Sequence, residues 1–509
     1  MNKKTRVSSP TATPPSLQQT VTELINAGKT EEALKKIQVR LMFAPKDAWF
    51  LHEAARLYRR NEKLDEAERY YLRALAVVPN DPSSLNGLGL TYYDNKDFAN
   101  AEKYYQMALS VLPSYAGCRN NYGIMLHKMD RYQEAAQQYQ LALEADPNHL
   151  EARYGLSSVL AHMQQLESAV DHMRYFLQFS PQDARTQNTL GMVLLQQGNF
   201  EQGWSLYRSR YSQNNPHRFV NLPSINRPYW EGEDLTGKAI LVHPEQGMGD
   251  EIQFCRFATR LKQEKGASTV YLMCRPALYS LMQSLPNIDG IIVLDKENNA
   301  PLPEFDVWSL LLDLPRHFVD SQDPFALQPP YVFAPSPIPE QWRLPSAEPR
   351  PLRVGLVWKG SSKHANDRNR SLENLSVLHP LWSVPNIEWV SLQKGEGEDE
   401  AINAPAEFPI LALGHQVTSY ADTTAIIDQV DLVITVDTSV AHLAGAMNKP
   451  CWVMLPAFAI DWRWIEGQET SSWYPSMRLF RHSDEKSWTE MIGRVRDALA
   501  QWHSQQTKA

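Results

Sequence analysis

Residues 64–79 read LDEAERYYLRALAVVP, residues 98–113 read FANAEKYYQMALSVLP, and residues 132–147 read YQEAAQQYQLALEADP. Each block lies 34 residues after the last. Working outward, Pro45, Pro79, Pro113, Pro147 and Pro181 keep that interval without a slip, as do Ala33, Ala67, Ala101, Ala135 and Ala169. Tyr71, Tyr105 and Tyr139, then Ala74, Ala108 and Ala142, recur in the same phase. A fixed period of this length marks an array in which each unit buries its face against the next. The chemistry of each position fits a pair of helices. Alanines stand where two helices approach closely, tyrosines fill the gap to the following unit, and the proline follows each second helix because it cannot continue one. Leu88-Gly89, Tyr122-Gly123 and Leu190-Gly191 mark the first helices.

This pattern resembles the tetratricopeptide family, with about five full repeats from Ser16 to Asp183. A degenerate sixth runs to about Tyr211, with Gly203 in place of the alanine. The resemblance implies an all-α superhelix with a concave surface that binds peptide or protein. A scaffold with no ligand of its own has the same sequence signature, so both readings stand. Asn86, Asn120 and Asn188 share one helical register, with Tyr154 at the intervening unit. By the family's usual geometry this register faces the groove, where amides pair with a polypeptide backbone.

Beyond residue 213 the periodicity changes. Short apolar runs alternate with helical stretches, the signature of parallel α/β structure. Strands are expected at Ala239–Val242, Thr269–Cys274, Gly290–Leu294 and Phe305–Leu310, with helices from Glu251 and over Ala277–Leu285. A second series opens with strands Arg353–Trp358 and Ile387–Leu392. It continues through helix Ser419–Val430, strand Leu432–Val436, a helix after Ser439, strand Cys451–Leu455 and an amphipathic helix from Ser487 to Trp502. The expected organisation is a tail (1–15), repeats (16–213), a linker (214–236), a first Rossmann-like domain (237–335), a second linker (336–351) and a second Rossmann-like domain (352–509). Two facing domains of this kind bind ligands where the strand C-termini meet.

Composition narrows the function. The chain's 509 residues exceed what one core holds, and its 43% hydrophobic and 21% charged residues are those of a globular protein. A net charge of -8 argues against broad nucleic-acid binding. No stretch approaches the roughly 18 apolar residues of a membrane span. The N-terminus is basic without an apolar core, unlike a secretory signal, and its Ser, Thr and Pro content reads as a disordered tail. A cytoplasmic location is expected. Cys118, Cys255, Cys274 and Cys451 are scattered, which suits buried thiols better than a disulfide framework or a zinc site.

Three loops carry candidate chemistry, each just past a strand. The first is His243-Pro244-Glu245-Gln246-Gly247-Met248-Gly249-Asp250. Its glycines let the backbone turn closely around a ligand, and Asp250 is expected at the helix N-cap. An aspartate there either satisfies free N–H groups or serves as a general base in the interdomain cleft. The second loop runs from Lys359 to Arg370 and holds Lys359, Lys363, Arg368 and Arg370 in an acidic chain. That charge suits a diphosphate, or a solvated surface. The third is Asp437-Thr438-Ser439-Val440-Ala441-His442, where small residues start a helix. Its free N–H groups and dipole make an anion site, and His442 falls in the first turn. No metal triad or carboxylate pair is evident, so helix dipole and cations are expected to neutralise a departing diphosphate.

These motifs, in this order, resemble glycosyltransferase family 9, the heptosyltransferase-like enzymes of the GT-B fold. The Gly-Met-Gly-Asp turn at 247–250, the loop Asn366-Asp367-Arg368-Asn369-Arg370-Ser371, and Asp437-Thr438-Ser439 with His442 carry the likeness. It implies inverting, metal-independent transfer from a nucleotide diphosphate sugar, with Asp250 as base and no cofactor. Gln246, Gly247 and Gly249 would lie near the cleft. Lys359, Arg368, Arg370, Asp437, Thr438, Ser439 and His442 would hold the donor. Where heptosyltransferases place a lysine near the donor phosphates, this sequence offers Arg370. The segment Asp461-Trp462-Arg463-Trp464 looks like the tetratricopeptide-fused branch of the family and receives no chemical role. Repeats ahead of a GT-B half are similar in arrangement to O-GlcNAc transferase. The expected function is therefore sugar transfer to a polypeptide acceptor held by the repeats. Transfer to a lipopolysaccharide or other saccharide, or a catalytically inactive scaffold, are the competing readings.

Overall fold

A computed structural model describes residues 16–213, 220–294, 301–320, 325, 329–346, 349–364, 366–482 and 488–506. The expected tail at 1–15 lies outside them, as do residues 214–219 of the expected first linker. The chain divides into two compact units, Met1–Val159 and Leu160–Ala509. The division falls within the helix Leu150–His162, so the helical array expected over 16–213 is shared between the units.

In the first unit, helical hairpins follow one another: Leu17–Asn26 with Thr30–Phe43, Ala48–Arg60 with Leu64–Val77, Pro82–Asp94 with Phe98–Val111, and Ala116–Lys128 with Tyr132–Ala145. Ala67, Ala101 and Ala135 are fully buried at the helix crossings. The tyrosines lie between units as expected. A methyl group added to Gly87 would sit 2.3 Å from Tyr71, and one added to Gly123 or Gly155 would collide with Tyr139. Asp81 and Asp97 cap their helices by accepting from Ser84 N–H (2.9 Å) and Asn100 N–H (3.1 Å). The turn inside each hairpin depends on a left-handed residue that repeats with the array: Gly28, Glu62, Lys96 and Asp130 here, Gln164 and Gly198 in the second unit. Non-glycine residues tolerate that conformation at a cost of roughly 1–2 kcal/mol, which the hairpin packing outweighs.

The second unit contains the helix Leu166–Phe179 and the hairpin of Ala184–Gln196 with Phe200–Tyr207. It continues into two parallel sheets. The first contains β1 (Ala239–His243), β2 (Thr269–Cys274), β3 (Gly290–Val293) and β4 (Val307–Leu310), in the order β3-β2-β1-β4. The second contains β5 (Leu352–Val357), β6 (Ile387–Ser391), β7 (Leu411–Ala412), β8 (Leu432–Val436), β9 (Cys451–Leu455) and β10 (Met477–Arg481), in the order β10-β9-β8-β5-β6-β7. That is the doubly wound order, with switch points beside β1 and between β5 and β8. β8 and β9 are buried along their whole length, which is why they read as unbroken apolar runs.

Three expectations need correction. The helix expected over Ala277–Leu285 is a 3-10 turn at Pro276–Leu278 followed by one helical turn, Tyr279–Met282. β7 and β10 were not anticipated; β7 is too short for a pattern, and β10 alternates around exposed Arg478. The expected first linker is not loose over its described part. Trp230 is fully buried, and Tyr229 bridges to Trp308 of β4. Among the described residues, no helix is long and apolar enough to cross a membrane, and all four cysteines are buried thiols.

Candidate functional site

Just past β1 the chain turns through Gln246, held at φ 59°, into the helix Met248–Ala258. Gly247, not Asp250, occupies the N-cap, because the glycine takes the extended conformation that starts the helix. Asp250 stands one turn inside and folds back, its Oδ2 accepting the Gly247 N–H at 2.6 Å. Its Oδ1 meets the guanidinium of Arg463 in a direct ion pair. Arg463 is nearly buried and fixed on every side. It donates to both oxygens of Asp461 at 2.9 and 3.1 Å and to Gln253 Oε1 at 2.7 Å, and it lies 4.3 Å over the Trp462 ring. Gln246 donates to the Tyr207 hydroxyl at 2.7 Å.

The helix after β1 packs against Ser439–Ala446, the helix after β8. Gly249 is the contact point: a methyl group there would lie 2.9 Å from the His442 ring. The Gly-Met-Gly-Asp turn and the third loop are thus brought together, although nearly 190 residues separate them. Thr438 is the N-cap, with Oγ1 3.1 Å from Thr435 Oγ1, and Ser439 Oγ is 2.7 Å from the Tyr420 hydroxyl. His442 stacks on Trp464, with ring centres 5.6 Å apart, and its Nδ1 is 3.2 Å from the Tyr474 hydroxyl. Burial, reinforced by Arg463, lowers His442 to about 3, so the ring is neutral near pH 7.

Asp437, the first residue past β8, lies within the field of a second carboxylate, Asp461, contrary to the expectation that none was near. Burial first, and then Asp461, raise Asp437 to about 6, against the pull of Arg370. Burial alone would also raise Asp461, but Arg463 outweighs it and holds that carboxyl below its ordinary range. The pair escaped detection because 24 residues separate its members. The described residues contain no group of three or more His, Cys, Asp or Glu arranged to hold a metal ion.

The cationic loop divides. The charge of Arg370 acts on Asp437 and His442, lowering the pKa of both, and its Nε lies 3.4 Å from Asp367. Asn366 reaches across to Ala459 O at 2.8 Å, tying the loop to the segment that bears Asp461. Lys359 turns away, donating to Glu400 at 2.7 Å, where Trp358 Nε1 also donates at 3.0 Å. A lysine expected to meet phosphate is therefore already paired. Arg368 is exposed on the rim of an open cleft that Lys359, Ser371 and Trp488 also line. His364, given no role from sequence, comes within the field of Arg370, Asp461 and Asp250. Burial and then Arg370 lower its pKa, and its Nδ1 accepts the Asn366 N–H at 3.2 Å. Glu251, next to Asp250, is raised to about 7 by burial despite its ion pair with Arg275.

The repeat asparagines are more enclosed than expected. Asn86, Asn120 and Asn188 are 8%, 7% and 4% exposed. Asn86 Oδ1 accepts from Asn121 at 3.0 Å, while the buried Oδ1 atoms of Asn120 and Asn188 have no hydrogen-bond partner. Gly87, beside Asn86, lets Tyr71 close over that register. Asn188 belongs to the second unit and the other two to the first.

The family model described as tetratricopeptide repeat matches residues 52–116 and 128–184. Protein FlbA of Caulobacter vibrioides is 27% identical over 332 residues, covering 60% of this chain and 53% of that protein. The chain thus spans about half the length of the curated relative it matches. Among solved structures, PilF of Pseudomonas aeruginosa is 19% identical with a TM-score of 0.35, over 37% of this chain and 86% of that one. PilW, a type IV pilus biogenesis factor, is 19% identical with a TM-score of 0.36, over 39% and 94%. The N-terminal region is therefore built of tetratricopeptide repeats, and the parallel sheets must be read from their own geometry.

Proposed function

We propose that the chain is an inverting, metal-independent glycosyltransferase of the GT-B type, moving a sugar from a nucleotide diphosphate donor to a polypeptide acceptor recognised by the repeats. The observation that carries this reading is the meeting of Asp250 with Arg463, Asp461, Asp437 and Arg370 where the helices after β1 and β8 touch. A carboxylate, two guanidiniums and a helix N-terminus at facing strand ends suit an acceptor hydroxyl on one side and a diphosphate on the other.

In the reaction, Asp250 takes the proton of the acceptor hydroxyl as its oxygen attacks the anomeric carbon. The bond from that carbon to the diphosphate breaks on the opposite face, which inverts the centre. The leaving charge is taken up by Arg370 and by the N–H groups at Thr438–Val440. Arg463 and Gly247 N–H each engage one Asp250 oxygen, and a second lone pair on each stays available to the acceptor. They also fix the carboxylate's orientation.

A second reading, a scaffold whose α/β half binds without catalysing, is favoured by one feature: Asp250 and Lys359 both already have ionic partners. Incubation of the purified full chain with nucleotide diphosphate sugars in chelator, with free nucleoside diphosphate quantified, separates the readings. The transferase reading expects slow hydrolysis of a donor. Absence of hydrolysis across the panel would leave the scaffold.

A further inference from the structure

The segment that carries Asp461 and Arg463 is hung between two helix ends of the second unit, which belong to successive repeats. At one end Ala459 N–H donates to His162 O at 2.9 Å, and at the other Glu466 N–H donates to Gln196 O at 3.1 Å. His162 and Gln196 are 34 residues apart and each ends the first helix of its hairpin. Carbonyls at helix C-termini lack intrahelical partners. Two successive repeats therefore present a spaced pair of acceptors, and the segment spans them. A side-chain bond from Gln196 Nε2 to Gln164 Oε1, 2.8 Å, ties the same two repeats together.

The other half of the ion pair is held by the end of the array. Tyr207 accepts from Gln246 at 2.7 Å. Arg210, 1% exposed, grips Glu245 at 2.7 and 2.9 Å and Asp313 at 2.9 Å. Glu245 and Gln246 lie in the turn that leads to Asp250. Between the two anchor points the Trp462 ring meets Trp204 edge to face, with centres 5.3 Å apart, and lies tilted against Tyr207 at 5.8 Å.

We propose that the last two repeats are the positioning element of the Asp250–Arg463 pair. Tyr207 and Arg210 set Asp250 through Gln246 and Glu245, and the carbonyls of His162 and Gln196 set Arg463 through the segment strung between them. The proposed function supplies the purpose of this arrangement; the mechanical link stands without it. Any change in the angle between the two repeats alters the span from His162 O to Gln196 O and moves Arg463 relative to Asp250. Whatever binds the array thereby has a direct route to the candidate base.

Hydrogen exchange by mass spectrometry on the full chain tests the link without requiring transfer. Tyr207→Phe removes only a hydroxyl, and exchange over residues 246–250 should rise by about fivefold to tenfold, the fold-change of one net hydrogen bond. Gln196→Ala loosens the two repeats, and exchange over 459–466 should rise by a similar factor. β5 and β6 should be unaffected in both. Unchanged exchange in the named segments, or an equal rise across the whole unit, overturns the proposal. Should Gln196→Ala fail to fold, Tyr207→Phe decides alone. A chain that binds no nucleotide sugar but shows the selective pattern keeps this inference and loses the transferase reading.

Discussion

Asp250 and Arg463, 213 residues apart in the chain, form a direct ion pair. Arg463 in turn clasps Asp461, so one guanidinium serves two carboxylates while a third, Asp437, stands beside them. Charge that is nearly buried must be paired and oriented, and the pairing here fixes the group proposed to act as base.

Asp250→Asn should separate chemistry from folding. The asparagine oxygen still accepts from Arg463, and the lost bond to Gly247 N–H costs about 1 kcal/mol. Loss of a general base costs roughly 10²–10⁴ in rate. Initial rates and denaturant unfolding on the same preparation check this. A large stability loss with unchanged activity per folded molecule would make Asp250 purely structural. Arg463→Met should do the reverse to folding, destabilising by roughly 3–5 kcal/mol because it strands two carboxylates.

Asp437→Asn should stabilise the chain at neutral pH and not in acid. The carboxyl titrates at about 6 when folded and near the ordinary aspartate value of 3.8 when unfolded, so the folded state holds its proton more tightly. Its contribution is fully present below pH 3.8 and is lost as pH rises through about 6. The variant should therefore gain roughly 1–3 kcal/mol at pH 7.5, with the gain vanishing near pH 3.5. Unfolding free energies of both proteins across that range provide the test. A difference independent of pH would contradict the assigned proton affinity.

Arg370→Ala should weaken nucleoside diphosphate binding by roughly tenfold to a hundredfold, the worth of a charge-assisted hydrogen bond. Arg370 is the cation of its loop whose charge lowers the pKa of Asp437, whereas Lys359 is committed to Glu400. Lys359→Ala should accordingly matter less. Dissociation constants for the two variants, with and without chelator, decide the order, and dependence on added Mg²⁺ would refute a metal-free site.

Replacing Asn86, Asn120 and Asn188 together by Ala should leave the array folded, because two of the three amide oxygens lack partners to lose. The Asn86–Asn121 bond and the Tyr115–Asn86 bond are broken, each at a cost of about 0.5–1.5 kcal/mol. Acceptor KM should rise while donor Kd stays constant. Unchanged acceptor kinetics in a variant with native circular dichroism would remove these amides from recognition.

What could be read from sequence depended on range. The repeat was legible because its signal is local and periodic, and strands buried on both faces, such as Leu432–Val436, announce themselves as apolar runs. The left-handed residues Glu62, Lys96, Asp130 and Gln164 share a phase but no residue type, so no composition rule finds them. In the site, glycine turns and a hydroxyl-rich helix start pointed to Asp250 and Thr438. The Asp250–Arg463 pair and the grip of Arg210 on Glu245 did not appear, because their partners are distant in sequence and charged residues in a loop read as surface.

Sugar transfer with Asp250 as the base can be followed through nucleoside diphosphate release. The purified full chain is incubated in chelator with a panel of nucleotide diphosphate sugars, beside Asp250→Asn, and free nucleoside diphosphate is quantified over time. Slow, donor-selective release by the wild type is expected, reduced about a hundredfold or more in the variant. No release from any donor, or equal release by both proteins, would contradict it.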